Sequence, residues 1–551
     1  MSARNAIVLL LALSTLLFLA ACGGGGNAPA TPTPPPTGAF SNSSLNGTYV
    51  FSVSGTDFAG APYAILGTFV ANGSGGSGKG GITGGTVDIV DAEFTSAFNL
   101  SINNNGFYAV GSDGRGELTI GTSTTNPFNA NLTFDFVLSS SSHGLITEFD
   151  GNASGSGTID LQTAGITQAA LAGSYAFSFS GVDPAGTGNF GTVGAFTLDG
   201  SGNVTTGVED FNDADLPYPN LGLSGTVVLG PSSTPSTTLT TSSGFNSLTY
   251  DVYAIDKTHL KFIEVGPTPI LLGDAFSQTS TAIPTGTLAF SLAGTFSGAT
   301  SAFGGFLVTD GAGNITSSSS EDINEGGSIV STAPEGFSGT YTNTGSLVAS
   351  RSTLTLTGFT GGTEYVAYPS SGGLLLLEMD SSGIMLGAGY AQTAGATFAA
   401  SQGYGLNLTG LNLGAATGSV EEVDDIAEFT AVSGGTLTGI IDENYDPGGS
   451  PVLGIALSNT SYGSIDTQGR YGLTATAANN STNTLNGGFT LTLYAVDGTT
   501  FPFIESDSGQ VSTGVIVMQT PSSSSSAAAH SHLFVVRPLI RPHGAWQKKK
   551  N

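Results

Sequence analysis

The chain has 551 residues, 83 of them glycine, with 39% apolar and only 9% charged side chains; 40 acidic residues against 12 basic ones give a formal net charge of −28. So many glycines beside abundant Ser, Thr and Asn, with few Lys, Glu or Met, argue against a helical protein, and the length exceeds what one hydrophobic core serves. Five of the basic residues (Arg537, Arg541, Lys548, Lys549 and Lys550) crowd into the C-terminal tail, so the folded part lacks the basic patches that nucleic acid demands, and nucleic acid is excluded as a partner.

Residues 1–21 have the zones of a secretory signal: Arg4 as the only charge, an apolar run from Ala6 to Ala21 broken by Ser14 and Thr15, and small residues before Cys22. The run is short for a membrane span, which needs about 20 apolar residues with suitable flanks. Leu19-Ala20-Ala21-Cys22 resembles the lipobox of bacterial lipoproteins. The resemblance implies diacylglycerol on the Cys22 sulfur, cleavage before it, and anchoring through the N-terminal lipid. With Gly23 rather than Asp next, it also implies sorting to the outer membrane or cell surface of a diderm cell. Cys22 is the only cysteine, so no internal disulfide forms.

Residues 22–40, opening on four glycines and continuing NAPATPTPPPT, read as a flexible to extended tether. Beyond it the chain repeats itself. An opening strand recurs as Gly47-Thr-Tyr49-Val-Phe51 to Gly55, Gly173-Ser-Tyr175-Ala-Phe177 to Gly181, Gly286-Thr-Leu288-Ala-Phe290 to Gly294, and Tyr404-Gly-Leu406 to Gly410. A closing strand carries Glu148, Glu264, Glu378 and Glu505, followed by Gln162, Gln278, Gln392 and Gln519. Both sets are spaced by 116, 114 and 127 residues. That common register defines four tandem copies, at 41–165, 166–281, 282–395 and 396–520.

In the second copy, segments 171–182, 190–199, 203–211, 222–229, 236–242, 247–255, 260–266 and 270–278 are rich in β-branched and aromatic residues, often alternating, and are punctuated by Gly, Pro, Asn and Asp. Asp199-Gly-Ser-Gly-Asn203 and Asp310-Gly-Ala-Gly-Asn314 have hairpin turn chemistry. The fold class expected is therefore all-β: four antiparallel domains of about eight strands, each closing as an up-and-down barrel. An immunoglobulin-like Greek-key sandwich is the alternative. The strand count and the opening Gly-Thr-Tyr loosely resemble lipocalin and avidin-like barrels, which implies a closed eight-stranded meander.

Few positions carry chemistry. Arg115, Arg351 and Arg470 each stand three residues before a Leu-Thr pair, with Ser236 in that place in the second copy, which alone has Lys257 and Lys261. The recurring Arg and the recurring Glu suggest a pair, either at the mouth of a ligand cavity or closing one end of each barrel. An acidic cluster follows each hairpin: Asp88 and Asp91; Glu209, Asp210, Asp213 and Asp215; Glu321, Asp322 and Glu325; Asp442, Glu443 and Asp446. These oxygen donors would suit Ca2+, with Asp210, Asp213 and Asp322 as candidates, but no calcium-loop spacing is present, and solvated turns are the plainer reading. No cofactor is otherwise implied.

His143 and His259 stand alone in their copies, outside any nucleophile elbow or zinc set, and the single tryptophan, Trp546, lies in the tail. Catalysis is not expected. Residues 521–551 form a serine linker and a basic tail read as disordered. The function expected is a lipid-anchored envelope protein with a structural, adhesive or binding role toward an envelope or extracellular ligand. The alternatives are a small-ligand carrier using barrel interiors and a carbohydrate-active enzyme with glutamate as acid or base.

Overall fold

The computed structural model describes residues 39–521, apart from 75–77, 95, 124–125, 129–130, 184–187, 231–236, 243–246, 267, 330–333, 345–349, 414–420, 447–450 and 478–487. Cys22, most of the tether and the tail lie outside the described residues, as does Ser236. Four closed antiparallel barrels of eight strands follow one another along the chain. Their strands run from Asn46–Asp57 to Ala153–Leu161, from Gly173–Asp183 to Ile270–Ser277, from Gly286–Phe296 to Gly383–Ala391, and from Gly403–Asn412 to Gln510–Met518. In barrels 1 and 3 the fourth strand is interrupted and runs as two pieces, Phe98–Ser101 with Phe107–Val110 and Ser328–Ile329 with Glu335–Asn343.

Alternation decides which side chains fill the barrels. In barrel 2, Tyr175, Phe177 and Phe179 of the first strand point inward and join Phe196, Phe211, Leu239, Tyr250, Val252, Leu260 and Phe262 in one core, while the intervening Ala176 packs outside with residues of other barrels. Barrels 1, 3 and 4 have equivalent cores. The first strand pairs with the eighth in every case, which closes each sheet; among the described residues the short pieces Phe98–Ser101 and Ser328–Ile329 pair on one side only.

The opening motif has a steric cause. A Cβ on Gly55, Gly181, Gly294 or Gly410 would sit 1.7, 1.8, 1.8 or 2.3 Å from the carbonyl oxygen of Ser154, Ile270, Ile384 or Val511 in the eighth strand. Only glycine lets the two closing strands meet there. The tyrosine of the motif ties the opposite end of the barrel to the turn between strands six and seven: Tyr49 Oη donates to Ser141 O at 2.8 Å and Tyr175 Oη to Lys257 O at 2.7 Å. The Asp199 and Asp310 hairpins are built alike. Each aspartate accepts from two backbone amides and from the amide of Asn203 or Asn314 at the end of the turn.

The barrels stand side by side with the same ends together, and the series closes on itself. Strands one to three of each barrel pack against strands six to eight of the next, and those of barrel 4 pack against barrel 1. The recurring glutamines staple each seam at the end where the chain passes between barrels. Gln162 Nε2 donates to Ala254 O, Gln278 to Pro369 O, Gln392 to Ala495 O, and Gln519 to Leu138 O and Asp113 O, at 2.7–3.0 Å. Gln519 thus reaches back across 381 residues to Leu138 in barrel 1. Apart from the start of strand five, strands four and five face away from the seams, and strand four is mostly exposed or half-buried, as in Leu216–Thr226 and Val452–Ser464.

Candidate functional site

The recurring charged residues meet between barrels rather than within them. Arg351, just ahead of the fifth strand of barrel 3, reaches the third strand of barrel 2, where its Nε and Nη2 donate to Asp210 at 2.8 and 2.5 Å. Tyr368 Oη and the amide of Asn220 complete the carboxylate's donors. At the next seam Arg470 of barrel 4 makes a two-pronged pair with Asp322 of barrel 3, and Tyr494 Oη donates to the same group at 3.0 Å. At the closing seam Arg115 of barrel 1 donates to Asp442 of barrel 4 at 2.8 Å, and also holds Asp113 at 3.2 Å. Planar guanidinium against carboxylate is the strong form of such a bond.

This corrects the expected pairing of Arg115, Arg351 and Arg470 with Glu148, Glu264, Glu378 and Glu505. It also removes Asp210 and Asp322 as Ca2+ ligands, since arginine occupies them. Asp213 stands near Asp183, half-buried and raised above the ordinary carboxylate range chiefly by burial. Among the described residues no group of three or more His, Cys, Asp or Glu is gathered to hold a metal ion. Most of the acidic residues are not in solvated turns: Asp88, Glu209, Asp210, Glu321, Asp322, Asp442 and Glu443 are buried on third strands, whereas Asp213 and Glu325 are half-buried and Asp215 lies in a turn.

Alternation explains the split. Glu209 lies on the inward face with Phe211, whereas Asp210 and Asn212 face the neighbour. Asn212, Asn324 and Asn444 donate to Glu378 O, Glu505 O and Glu148 O of the adjoining barrels at 2.6–3.2 Å, so each ties a seam through the backbone of the recurring glutamate.

The glutamate side chains themselves point into their own barrels near the end remote from the chain crossings. Burial pushes Glu264 up to about 7 and Glu378 to about 10, and carries Glu148 and Glu505 well above the usual range, with Asp150 and Asp507 adding to it. Glu209 and Glu321 are raised by burial to about 7 and about 8. Burial inside the barrels thus favours the neutral form of these groups. A void in barrel 3, lined by Phe290, Leu307, Phe337, Phe359, Tyr365 and Leu376 among others, measures about 20 Å³, roughly the room for one water. The lysine and histidine of barrel 2 serve a different carboxylate: Lys261 Nζ and His259 Nε2 lie 2.9 and 2.6 Å from Asp274, and His143 pairs with Asp160 in the same way in barrel 1.

Two surfaces distinguish the ends of the assembly. At the crossing end, Phe40, where the tether enters, and Gln519, near the end of the described chain, both lie against Gly114. That residue has φ +87°, and a Cβ on it would sit 2.6 Å from Gln519 Nε2 and 2.9 Å from the Phe40 ring. The opposite rim carries Phe58, Phe94, Leu216 and Leu453, exposed by 63, 42, 58 and 67%, amid Glu93, Asp150, Asp213, Asp215, Asp380 and Asp507.

Sequence reasoning missed the seams. The signal available was the register itself: Gln, Arg and Asp recurring at matched positions mark contacts that repeat, but do not say whether they lie within a copy or between copies.

No protein-family model and no curated protein sequence matches the chain. Among solved structures it is similar to an AttH protein from Nitrosomonas europaea (11% identity, 46% of this chain and 98% of that one, TM-score 0.19). It is also similar to isotype 1 transferrin binding protein B from serogroup B Neisseria meningitidis (11% identity, 69% and 84%, TM-score 0.20). A third is kievitone hydratase from Nectria haematococca (10% identity, 88% and 93%, TM-score 0.13). At these scores none bears on function.

Proposed function

We propose that this chain is a lipid-anchored cell-envelope protein whose four barrels form one closed platform that displays a binding surface, with no catalytic role. The observation that carries this reading is the polarity of the ring. The tether and the end of the folded chain leave side by side beneath Gly114, while the opposite rim sets Phe58, Phe94, Leu216 and Leu453 among carboxylates. Four of the five large exposed apolar side chains among the described residues fall at this rim, Ile465 alone lying toward the other end, and exposed apolar side chains so placed mark an interaction site. An anionic rim favours a ligand with cationic and apolar groups. The apolar cores inside the four barrels speak for display over carriage, since a carrier needs a cavity of roughly several hundred Å³.

The test is fractionation of cells making the full chain, with metabolic labelling by an alkyne fatty acid. The wild-type protein should label and sediment with membranes, C22S should do neither, and antibody against the rim should stain intact cells. A wild-type chain that is unlabelled and soluble would refute the anchor, and one stained only after permeabilisation would refute display.

A further inference from the structure

Three of the four seams hold a guanidinium against a third-strand aspartate. Among the described residues the seam between barrels 1 and 2 has none, and in the sequence Ser236 stands where the other copies have arginine. Two aspartates face each other there instead. Asp88 of barrel 1 is fully buried and accepts from Tyr253 Oη of barrel 2 at 2.6 Å and from Asn99 Nδ2 at 2.5 Å. Asp251 lies two residues before Tyr253 on the same strand, so it leaves the same face, and it is 1% exposed. Neither of its carboxylate oxygens meets an N–H or hydroxyl donor, and its near polar neighbour is the carboxyl of Asp88. Burial and then the nearby charge of Asp251 push Asp88 up to about 7. Among the described residues no Lys, Arg or His forms an ion pair with either group.

A buried carboxylate without donors is costly, and a second one beside it more so. The other seams answer the same problem with a cation.

We propose that the seam between barrels 1 and 2 binds a hard divalent cation between Asp88 and Asp251, in the place arginine takes at the other three. Carboxylate and amide carbonyl oxygens, with water, are the donors such ions prefer. Tyr253 Oη, Thr86 Oγ1 at 3.4 Å from it, and the side-chain carbonyl of Asn99 are at hand. Asn99 is exposed, which gives an entry path and access for water to fill the coordination shell.

The experiment uses the full chain in detergent, stripped with chelator and titrated with Ca2+, Mg2+ or Tb3+ by calorimetry, tyrosine-sensitised Tb3+ emission and thermal unfolding at fixed pH. One saturable site per chain is expected, with a melting temperature raised by several degrees on loading. Asp251→Asn should weaken binding at least tenfold and abolish the thermal response, yet melt above stripped wild type because the repulsion is gone. Asp251→Arg should reach the loaded wild-type value in chelator. No binding at millimolar cation, or equal binding by D251N, would overturn the proposal. A melting temperature that ignores cations at every pH would overturn it too, assigning the charge balance to a proton.

Discussion

Replacing Arg351 by methionine tests the seam logic most sharply, because both partners are buried: the Arg351 side chain is 5% exposed and that of Asp210 is 0%. The substitution leaves Asp210 with only Tyr368 and the Asn220 amide as donors. Removing one member of a buried pair costs about 3–5 kcal/mol, whereas replacing both by apolar groups of like volume is often neutral or stabilising. R351M should therefore lower stability by about that amount, and R351M/D210L should recover most of it. Arg115→Met should cost less, about 1.5–3 kcal/mol as for a charged hydrogen bond, since its side chain is 21% exposed. A chain of four domains is not expected to unfold in one step, so the readout is the first thermal transition together with hydrogen exchange along Val204–Asp213. The reasoning is refuted if R351M costs under about 1 kcal/mol or if the double variant is no better than the single.

Acidity should stabilise the protein. Glu209 and Glu264 are raised from 4.5 to about 7, and Glu321 to about 8, by burial. The fold thus binds protons that the unfolded chain releases above about 4.3. Their stabilising contribution is full below that value and is lost as pH climbs through 7–8. A melting temperature higher at pH 5 than at pH 8.5 is expected, and the opposite order would contradict the buried-acid account. Gly181→Ala forces a Cβ to 1.8 Å from Ile270 O, so barrel 2 should open between its first and eighth strands, with exchange protection lost along Ile270–Ser277. Unchanged protection would show that the strands do not meet as described. Gly304→Val acts at a seam instead. Its Cβ would lie 2.2 Å from the Tyr494 ring, displacing the hydroxyl from Asp322, and loss of protection should centre on Ala299–Thr309 and Phe489–Tyr494 while barrel 2 is spared.

Much of the fold could be read from the residues because it rests on local rules. Eight segments read in the second copy match eight strands, within a few residues except at the fourth strand, where Leu216–Thr226 begins earlier than Gly222. Tyr218 and Leu221 there pack against the core of barrel 2, but two prolines masked the alternation. The equivalence of Arg115, Arg351 and Arg470 was also legible, and so was that of the glutamates and glutamines. Their partners were not. Period-two alternation puts Glu209 inward and Asp210 outward, and only knowledge of a neighbouring barrel gives the outward residue a role. Likewise the pair Asp88 and Asp251 falls in different copies, with nothing local to link them.

Closure of the ring is the central claim, and one cross-link measures it. Thr56 of barrel 1 donates to Glu422 of barrel 4 at 2.5 Å although 366 residues separate them. With cysteines at both positions in a C22S background, a short bis-maleimide should join them within a single chain at high yield in dilute solution, giving a faster-migrating band on a denaturing gel. An open string of barrels would give only concentration-dependent dimers, and that result would contradict the closed platform.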